Sequence, residues 1–552
     1  MTHFGFSRGF ADSILECKEC DAKTRVHPEC LPITIPKGDP FYPQINITSG
    51  KPLCLAFTRS MPGQLTLGFR EQMNQITSFA DSSNVYGSDL CEMRELREFV
   101  GGRLNSTRTF HGGLDLLPQT DENAECKSSS GLCFEAGDAR NSEQPVLAAL
   151  HTIFMRYHNK LAEELSRLNP QWSDEKLYQE ARRIGSAVQQ HVTWNEFLPR
   201  VLGWNAINLY ELGLLSDGYY NGYDEKCNPT ILNEFATAAF RFGHSLLKPS
   251  FKRMDPRYAE KGPDLLLTDM FFNPESLHEP GMLDDLIRGV STTSMETLDQ
   301  FITDEVTNHL FEDRETPYSG LDLAALNIQR GRDHGLPGYN LYRAICNLTR
   351  ADDFSGLSRE IAPPVIERLR RTYAHVDDID MFTGRFINYR FFSIAYVLRN
   401  VTYCRKAMLM NDFRDNLGGL AETPLHGGLV GPTFACIIGI QFRNLRKCDR
   451  FWYEGGNPLT RFTESQLAEI RKVTLSKIMC ENCDQISSVQ RGMFDIPDPF
   501  LNPRVPCDAL PGVNLEFWKE RKSCSVQDIN IGKDNNHPMN SMKLLILMKV
   551  IL

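Results

Sequence analysis

At 552 residues, with 41% hydrophobic and 24% charged side chains, the chain has the make-up of a soluble globular protein far past the size where burying a core is difficult. Its formal net charge of −10 argues against a nucleic-acid surface, which carries a basic stripe. Length alone allows two or more domains.

In chain order, the opening stretch MTHFGFSRGFADS contains no apolar run of signal-peptide length. Sixteen cysteines follow, among them the close pairs Cys17/Cys20, Cys126/Cys133 and Cys480/Cys483. Cys17 and Cys20 with His27 and Cys30 allow a zinc reading. Four N-x-S/T acceptors, at Asn46, Asn105, Asn347 and Asn400, favour disulfides in an oxidising, secretory compartment instead. From Leu147 the positions Leu147, Leu150, Phe154, Leu161 and Leu165 follow 3- and 4-residue steps and predict a helix. The same periodicity predicts helices from Glu175 to about Leu202, Ile231 to Leu247, Pro364 to Tyr373, Tyr389 to Met410 and Glu464 to Ile478. Asn105 to Glu143 and Met254 to Pro317 read as long irregular stretches, and few segments alternate with period two. The fold class expected is therefore mainly α, a single large helical domain over residues 1–527 with little β. The apolar end, Met542 to Leu552, is too short to span a bilayer and is broken by Lys549. Residues 528–552 read as a disordered extension, with no transmembrane segment.

Four segments carry chemistry-bearing residues. In TSFADSSNVYGS, Thr77, Phe79, Asp81 and Ser83 place oxygen donors at every second residue, as a calcium loop does, or as an Asx-rich turn does. In GDARNSEQPVL, Arg140 and Glu143 precede a helix; Ser142 as cap, Glu143 in the first turn and Pro145 near its start explain the pattern locally. An arginine pointing from there into an apolar pocket would also stabilise charge on a peroxide oxygen. In FRFGHSLLKP, His244 sits among Phe240, Phe242, Leu246 and Leu247, as a core histidine or as an axial haem ligand. In LNIQRGRDHGLPGYN, Asn327 and Arg330 share a helical face ahead of a glycine-rich turn. Asn327 is a candidate for the second ring nitrogen of His244.

Taken together and in this order, the blocks resemble the animal haem peroxidase superfamily, over roughly Thr2 to Cys524. They are the calcium loop, the R-x-x-E segment, the R-F-G-H segment, the LNIQRGRDHGLPGY block, and VGPTFACIIGIQFRNLRKCDRFWYE from Val430 to Glu454. The pattern is similar to that of the invertebrate secreted peroxinectins and chorion peroxidases. The resemblance implies a helical fold holding haem b. It implies His244 as proximal ligand, Asn327 as its orienting partner and Arg330 as a propionate contact. Arg140 stands for the distal arginine and Glu143 for the glutamate ester-linked to haem. Gln144 stands where myeloperoxidase has a methionine joined to haem through sulfur, so that link is expected to be absent. Calcium is implied at Thr77, Phe79, Asp81 and Ser83. Disulfides are implied between Cys17 and Cys30, Cys20 and Cys54, Cys126 and Cys133, Cys346 and Cys404, and Cys480 and Cys507. The implied partners are hydrogen peroxide and small phenolic or halide donors, outside the cell.

The family places a distal histidine in a D-H-D-x-T-H segment, and Met1-Thr2-His3 matches only its last two residues. The expectation is an internal start, with one calcium ligand, one ester-forming Asp and the acid–base histidine missing. Two other functions stand beside the peroxidase. One is a non-catalytic adhesion or matrix protein using Lys37-Gly38-Asp39 as an integrin-type motif; the other, fitting less well, is a fatty-acid dioxygenase. A positioned acid–base residue contributes ~10²–10⁴-fold to rate. The 552-residue chain on its own is therefore expected to show little peroxidase turnover, and a normal rate of iron oxidation by peroxide would refute that.

Overall fold

The computed structural model describes residues 6–8, 15, 17, 20, 27–47, 49–63, 66–109, 112–121, 125–299, 302–382 and 422–520. Its longest helix runs Pro145–Leu168. The start is written locally: Pro145 has no N–H to lose at the first position, and Gln144 Oε1 accepts from the Val146 N–H at 2.7 Å. Gln144, not Ser142, is thus the cap, and Glu143 lies just ahead of the helix rather than in its first turn. Of the periodic positions Leu161 and Leu165 are buried, whereas Leu147, Leu150 and Phe154 are only partly so; the face turned fully inward also carries Ala148 and Ile153. The helix packs against Asp174–Val192, whose start is capped by the Ser173 hydroxyl accepting from Lys176 N–H.

The second helix continues without a break to Leu202, as the periodicity predicts. Inside it Thr193–Phe197 widens to a π-turn that ends at Leu198, just before Pro199, whose ring has no N–H to continue the ladder. The Trp194 ring in this turn lies 5.2 Å from Phe442 of the helix Pro432–Lys447. Phe442 in turn meets Phe235 at 5.9 Å and Phe240 at 5.8 Å. These rings fix the floor on which the His244 segment rests.

That segment differs from its expected single helix. An α-helix covers only Asn233–Thr237, the chain kinks at Ala238, and Ala239–Leu246 is 3₁₀. The Arg241 side chain takes the Ala236 carbonyl at 3.1 Å, and Phe235 stacks on Phe240 at 4.6 Å, so side chains set the path here. Eight residues is long for a 3₁₀ helix, which has poorer hydrogen-bond geometry than an α-helix. Glu464 to Ile478 also splits, into Glu464–Ile470 and Leu475–Asn482. Thr474 and Glu196 satisfy the first N–H groups of the second piece. The stretch read as irregular from Met254 contains a helix, Met282–Thr292. Met282, Leu283, Leu286 and Ile287 recur at helical spacing, so the signal was present in the sequence; Asp284, Asp285 and Arg288 are buried beside them, Arg288 donating to Asp285 at 2.6 Å. Strands among the described residues are two or three residues long, in four antiparallel pairs, so the fold is mainly α. The expected helix from Tyr389 to Met410, Asn400, and the expected extension 528–552 lie outside the described residues.

The Leu323–Asp333 helix is anchored at both ends. At its start the Asp322 carboxylate accepts from Ala324 N–H at 2.9 Å and Ala325 N–H at 3.1 Å. At its end Asp333 accepts from Arg59 Nε at 2.7 Å, Ser60 N–H at 2.9 Å and Arg330 Nη1 at 3.1 Å. Burial works to raise the Asp333 pKa, but these donors hold it below the usual value. Next to it His334 Nδ1 faces Asn233 Oδ1 at 2.7 Å and Thr237 Oγ1 at 3.1 Å. An oxygen acceptor there puts the ring proton on Nδ1, so Nε2 accepts from the Ser60 hydroxyl at 2.7 Å. One histidine thereby ties the turn after the helix to the segment that leads to His244.

Six disulfides join described cysteines. Cys17–Cys30, Cys20–Cys54, Cys126–Cys133 and Cys480–Cys507 form as the resemblance implied. Cys346 corrects it: its partner is Cys436, not Cys404, which lies outside the described residues. Cys346 ends the helix Tyr339–Ile345 and sits near Thr433, the first turn of the helix that carries Cys436, with 5.9 Å between the two Cα atoms. Chain spacing cannot see that proximity. Cys227–Cys448, separated by 221 positions, was not foreseen. Lys37-Gly38-Asp39 forms a turn in which the Asp39 carboxylate accepts from Phe41 N–H at 2.9 Å and Tyr42 N–H at 2.7 Å.

Two expectations follow for solution. Non-reduced peptide mapping should recover Cys346 linked to Cys436, and a Cys346–Cys404 peptide would sink the assignment. Burial holds His334 neutral in the folded chain down to about pH 3, with Asp333 opposing, whereas the unfolded imidazole protonates below about 6.5. The unfolded state therefore binds the extra proton between those limits, and stability falls as pH falls through them. One such group contributes at most about 1.4 kcal/mol per pH unit. In His334→Gln the loss of stability from pH 6.5 to 4, followed by urea unfolding, should be shallower by up to that slope; parallel profiles would acquit His334.

A candidate active site lined by histidine and arginine

The fold brings His244 and Asn327 into contact across 83 positions of chain. Asn327 is fully buried, and its Nδ2 lies 2.9 Å from His244 Nδ1. Arg241, one turn before His244, donates through Nη1 to Asn327 Oδ1 and so selects which face of the amide meets the imidazole. The His244 ring is half-buried, and desolvation, helped by the Arg241 charge, lowers its pKa to about 3. It is a neutral ring at any physiological pH, as a metal ligand must be. Its other nitrogen, Nε2, has no hydrogen-bond partner among the described residues, which suits a ligating atom. The amide orientation leaves Nδ1 as an acceptor and the neutral ring's proton on Nε2. Ligation through Nε2 therefore requires that proton to leave or the amide to turn over.

Arg330 lies on the same helix face as Asn327, as the sequence reading expected. It donates to the Thr58 carbonyl at 2.8 Å and to Ser60 Oγ at 3.1 Å, and its guanidinium covers the Phe57 ring at 4.0 Å. Burial lowers its pKa to about 10, against the pull of Asp333. Arg241, missed by the sequence reading, falls to about 9 through burial and through repulsion by Arg330 and Arg140. Three guanidinium groups thus share one electrostatic neighbourhood beside a neutral histidine. The R-F-G-H motif itself contains Arg241, so its spacing to His244 was the signal available.

Arg140 and Glu143 stand where the chain enters the long helix. Burial raises the Glu143 pKa to about 7, with Arg140 opposing. Arg140 is not the inward-pointing arginine expected: its side chain is 48% exposed and is held by Asp138 through Nε at 2.8 Å and Nη2 at 2.6 Å. The physical reason is local, since a carboxylate two residues away on the same turn captures the fork. His151, two turns into that helix, was also unforeseen. It is buried, neither ring nitrogen has a partner among the described residues, and it lines a small cavity with Val85, Leu96, Leu117 and Met155.

In the Thr77–Ser83 loop local hydrogen bonds link Thr77, Phe79, Asp81 and Ser83. Ser83 N–H donates to Asp81 Oδ1 at 3.2 Å, Phe79 N–H donates to Thr77 Oγ1 at 3.3 Å, and the Thr77 side chain bonds Asp81. Burial raises the Asp81 pKa. No group of three or more His, Cys, Asp or Glu side chains suited to a metal occurs among the described residues, so a cation here would rely on hydroxyl and carbonyl oxygen beside the Asp81 carboxylate. His3 lies outside the described residues. A cavity of about 250 Å³ between Tyr157, Lys160, Val473, Lys477 and Val513 includes none of these site residues. No described helix is long and apolar enough to cross a membrane.

The arrangement fits a flat, dianionic, metal-bearing prosthetic group. It offers one neutral imidazole for the metal, two desolvated arginines for acid groups, and a carboxyl poised near neutrality. Comparisons with known proteins point the same way. The family description "Animal haem peroxidase" matches residues 1–392 and 412–494. A Mus musculus peroxidasin homolog is 36% identical over 524 residues, covering 91% of this chain and 32% of that protein. The chorion peroxidase of Drosophila melanogaster is 35% identical over 520 residues, covering 92% of this chain and 59% of its own. The chain thus spans about a third and about three fifths of these relatives. Peroxidase A from Dictyostelium discoideum superposes with a TM-score of 0.66 at 28% identity, covering 85% of this chain and 82% of that one. On this match the chain belongs to the animal haem peroxidase family.

Proposed function

We propose that the chain binds haem b and uses hydrogen peroxide to oxidise small phenolic or halide donors, outside the cell. The observation that carries this reading is the His244–Asn327 hydrogen bond set among Arg241, Arg330 and Arg140. When bound, haem supplies an iron centre that exchanges electrons with peroxide and donor. The protein's part is to hold and tune that centre. His244 offers a neutral nitrogen, Asn327 restrains the ring from behind, and removing such a partner typically costs 10–100-fold in affinity or activity. Arg241 and Arg330 receive the acid groups, and Arg330 is braced for this by Thr58, Ser60 and Asp333.

Glu143 holds its proton near neutrality because it is desolvated, so the carboxyl can approach an apolar macrocycle without the cost of burying a charge. We assign it the ester link to haem. Arg140 exchanges Asp138 for an oxygen anion when peroxide is present, a side-chain motion that its exposure permits. The Thr77, Phe79, Asp81 and Ser83 oxygens take calcium, which would offset the cost of the buried Asp81 carboxylate. Six disulfides among the described residues support an extracellular setting. The integrin reading receives no such support, because the Asp39 carboxylate is already engaged by two N–H groups of its own turn.

The test is haem retention. The full chain reconstituted with haem should show a Soret band that His244→Ala loses. After turnover with peroxide, haem should stay with the denatured wild-type polypeptide on acidic solvent extraction and be released from Glu143→Gln. An unchanged Soret band in His244→Ala would end the ligand assignment, and retained haem in Glu143→Gln would end the ester.

A further inference from the structure

Behind the Arg140–Glu143 entrance lies a buried pair that the peroxidase reading does not use. Tyr86 is 2% exposed and His158 fully buried. The Tyr86 hydroxyl lies 3.0 Å from His158 Nδ1, and His158 Nε2 lies 2.9 Å from the Gly102 carbonyl. A carbonyl only accepts, so the proton sits on Nε2 and Nδ1 must accept from the phenol. The tautomer is therefore set, with the hydroxyl proton already aimed at a base.

The neighbours make this pair different from an ordinary buried tyrosine. Tyr178 lies 6.2 Å from Tyr86 and 5.4 Å from His158, yet its hydroxyl meets no acceptor among the described residues. Arg97 covers the Tyr178 ring at 4.0 Å and Arg182 lies over Tyr86 at 5.2 Å, so an additional full charge is disfavoured here. Oxidising a tyrosine leaves a strongly acidic phenol, so its proton moves along the existing hydrogen bond to His158; burial and the Arg182 and Arg97 charges lower the His158 pKa to about 4, so the imidazolium readily returns that proton when the tyrosine is reduced. The pair is also close to the candidate site. A Cβ on Gly137 would clash with Tyr86 N and Ser83 O, so the Tyr86 backbone presses on the segment three residues ahead of Arg140. Three residues span at most about 10 Å. His158 itself is on the helix that starts two residues after Glu143.

We propose that Tyr86 is a redox-active tyrosine whose proton is taken by His158. The inference rests on the peroxidase reading, which supplies the oxidant as the peroxide-oxidised haem site. One electron passes from the Tyr86 phenol to that site. The O–H bond breaks, the proton moves to His158 Nδ1, and a neutral phenoxyl radical and an imidazolium remain. An electron from a donor reverses the step, and the proton returns from Nδ1 to the phenolic oxygen. When no donor is at hand, the pair stores one oxidising equivalent away from the iron.

The experiment uses the haem-loaded full chain, mixed with one equivalent of hydrogen peroxide without donor and freeze-quenched for electron paramagnetic resonance. With difluorotyrosine placed at position 86 alone, the tyrosyl signal should carry fluorine hyperfine splitting. Tyr86→Phe and His158→Gln should lose the Tyr86 signal, and Tyr178→Phe should keep it. A radical without fluorine splitting, or a haem band that changes with no radical formed, overturns the proposal. A haem band indifferent to peroxide counts instead against the peroxidase reading. The same samples are then oxidised by a ruthenium polypyridyl photo-oxidant with persulfate, where absence of the fluorine splitting overturns the proposal on its own.

Discussion

Asp333 and His334 together hold three parts of the chain that are far apart in sequence. Asp333 gathers Arg59, Ser60 and Arg330, and His334 gathers Ser60, Asn233 and Thr237. Both residues are buried, so each unmade hydrogen bond would cost about 1–3 kcal/mol, and none of these is left unmade. The result is a helix fixed in rotation about its own axis, with Asn327 directed at His244. A 3₁₀ segment has weaker internal hydrogen bonding than an α-helix, and the clasp supplies from outside the order that the His244 segment lacks within.

Charge is distributed around this clasp with a consistent logic. The imidazole is kept neutral and Glu143 is held near neutrality, both by desolvation, while arginines accumulate in the same region. Left alone, such a set repels itself. A prosthetic group with two acid arms and a central metal would relieve this: the metal would take the imidazole and the arms would take the cations. Arg140 is the exception. Asp138 holds it at the surface, so its entry into the site depends on breaking a short, partly exposed ion pair, which is among the weaker bonds in a protein.

The long helix Pro145–Leu168 joins the two chemistries considered for this chain. Glu143 and Arg140 sit ahead of its first turn, and His158 lies in its fourth, against Tyr86. The Ser83–Tyr86 turn follows directly on the candidate calcium loop. A cation bound at Asp81 would therefore stiffen the backbone that positions Tyr86, giving a physical route by which a site for a hard cation influences an oxidisable side chain.

Local chemistry determined much of this protein from the sequence alone. The helix at Pro145, the Asn327/Arg330 face, the grouping of Thr77 with Asp81 and Ser83, and four of the disulfides are readable because each rests on residues close in the chain or on motif order. Tertiary structure decided what depends on distant groups meeting. The pairing of Cys346 with Cys436 follows from two helix ends packing together, which spacing does not encode. The Met282–Thr292 helix keeps a helical period in Met282, Leu283, Leu286 and Ile287, whereas the burial of Asp284, Asp285 and Arg288 beside them, with Lys261 reaching Asp285, was decided by the fold. Arg140 turned outward because Asp138 captured it, and Arg241 became a site residue because Asn327 arrived beside it from 86 positions away. The motifs named the imidazole and the amide behind it, but only packing could say that Arg241 would hold that amide and how many cations would surround the pair.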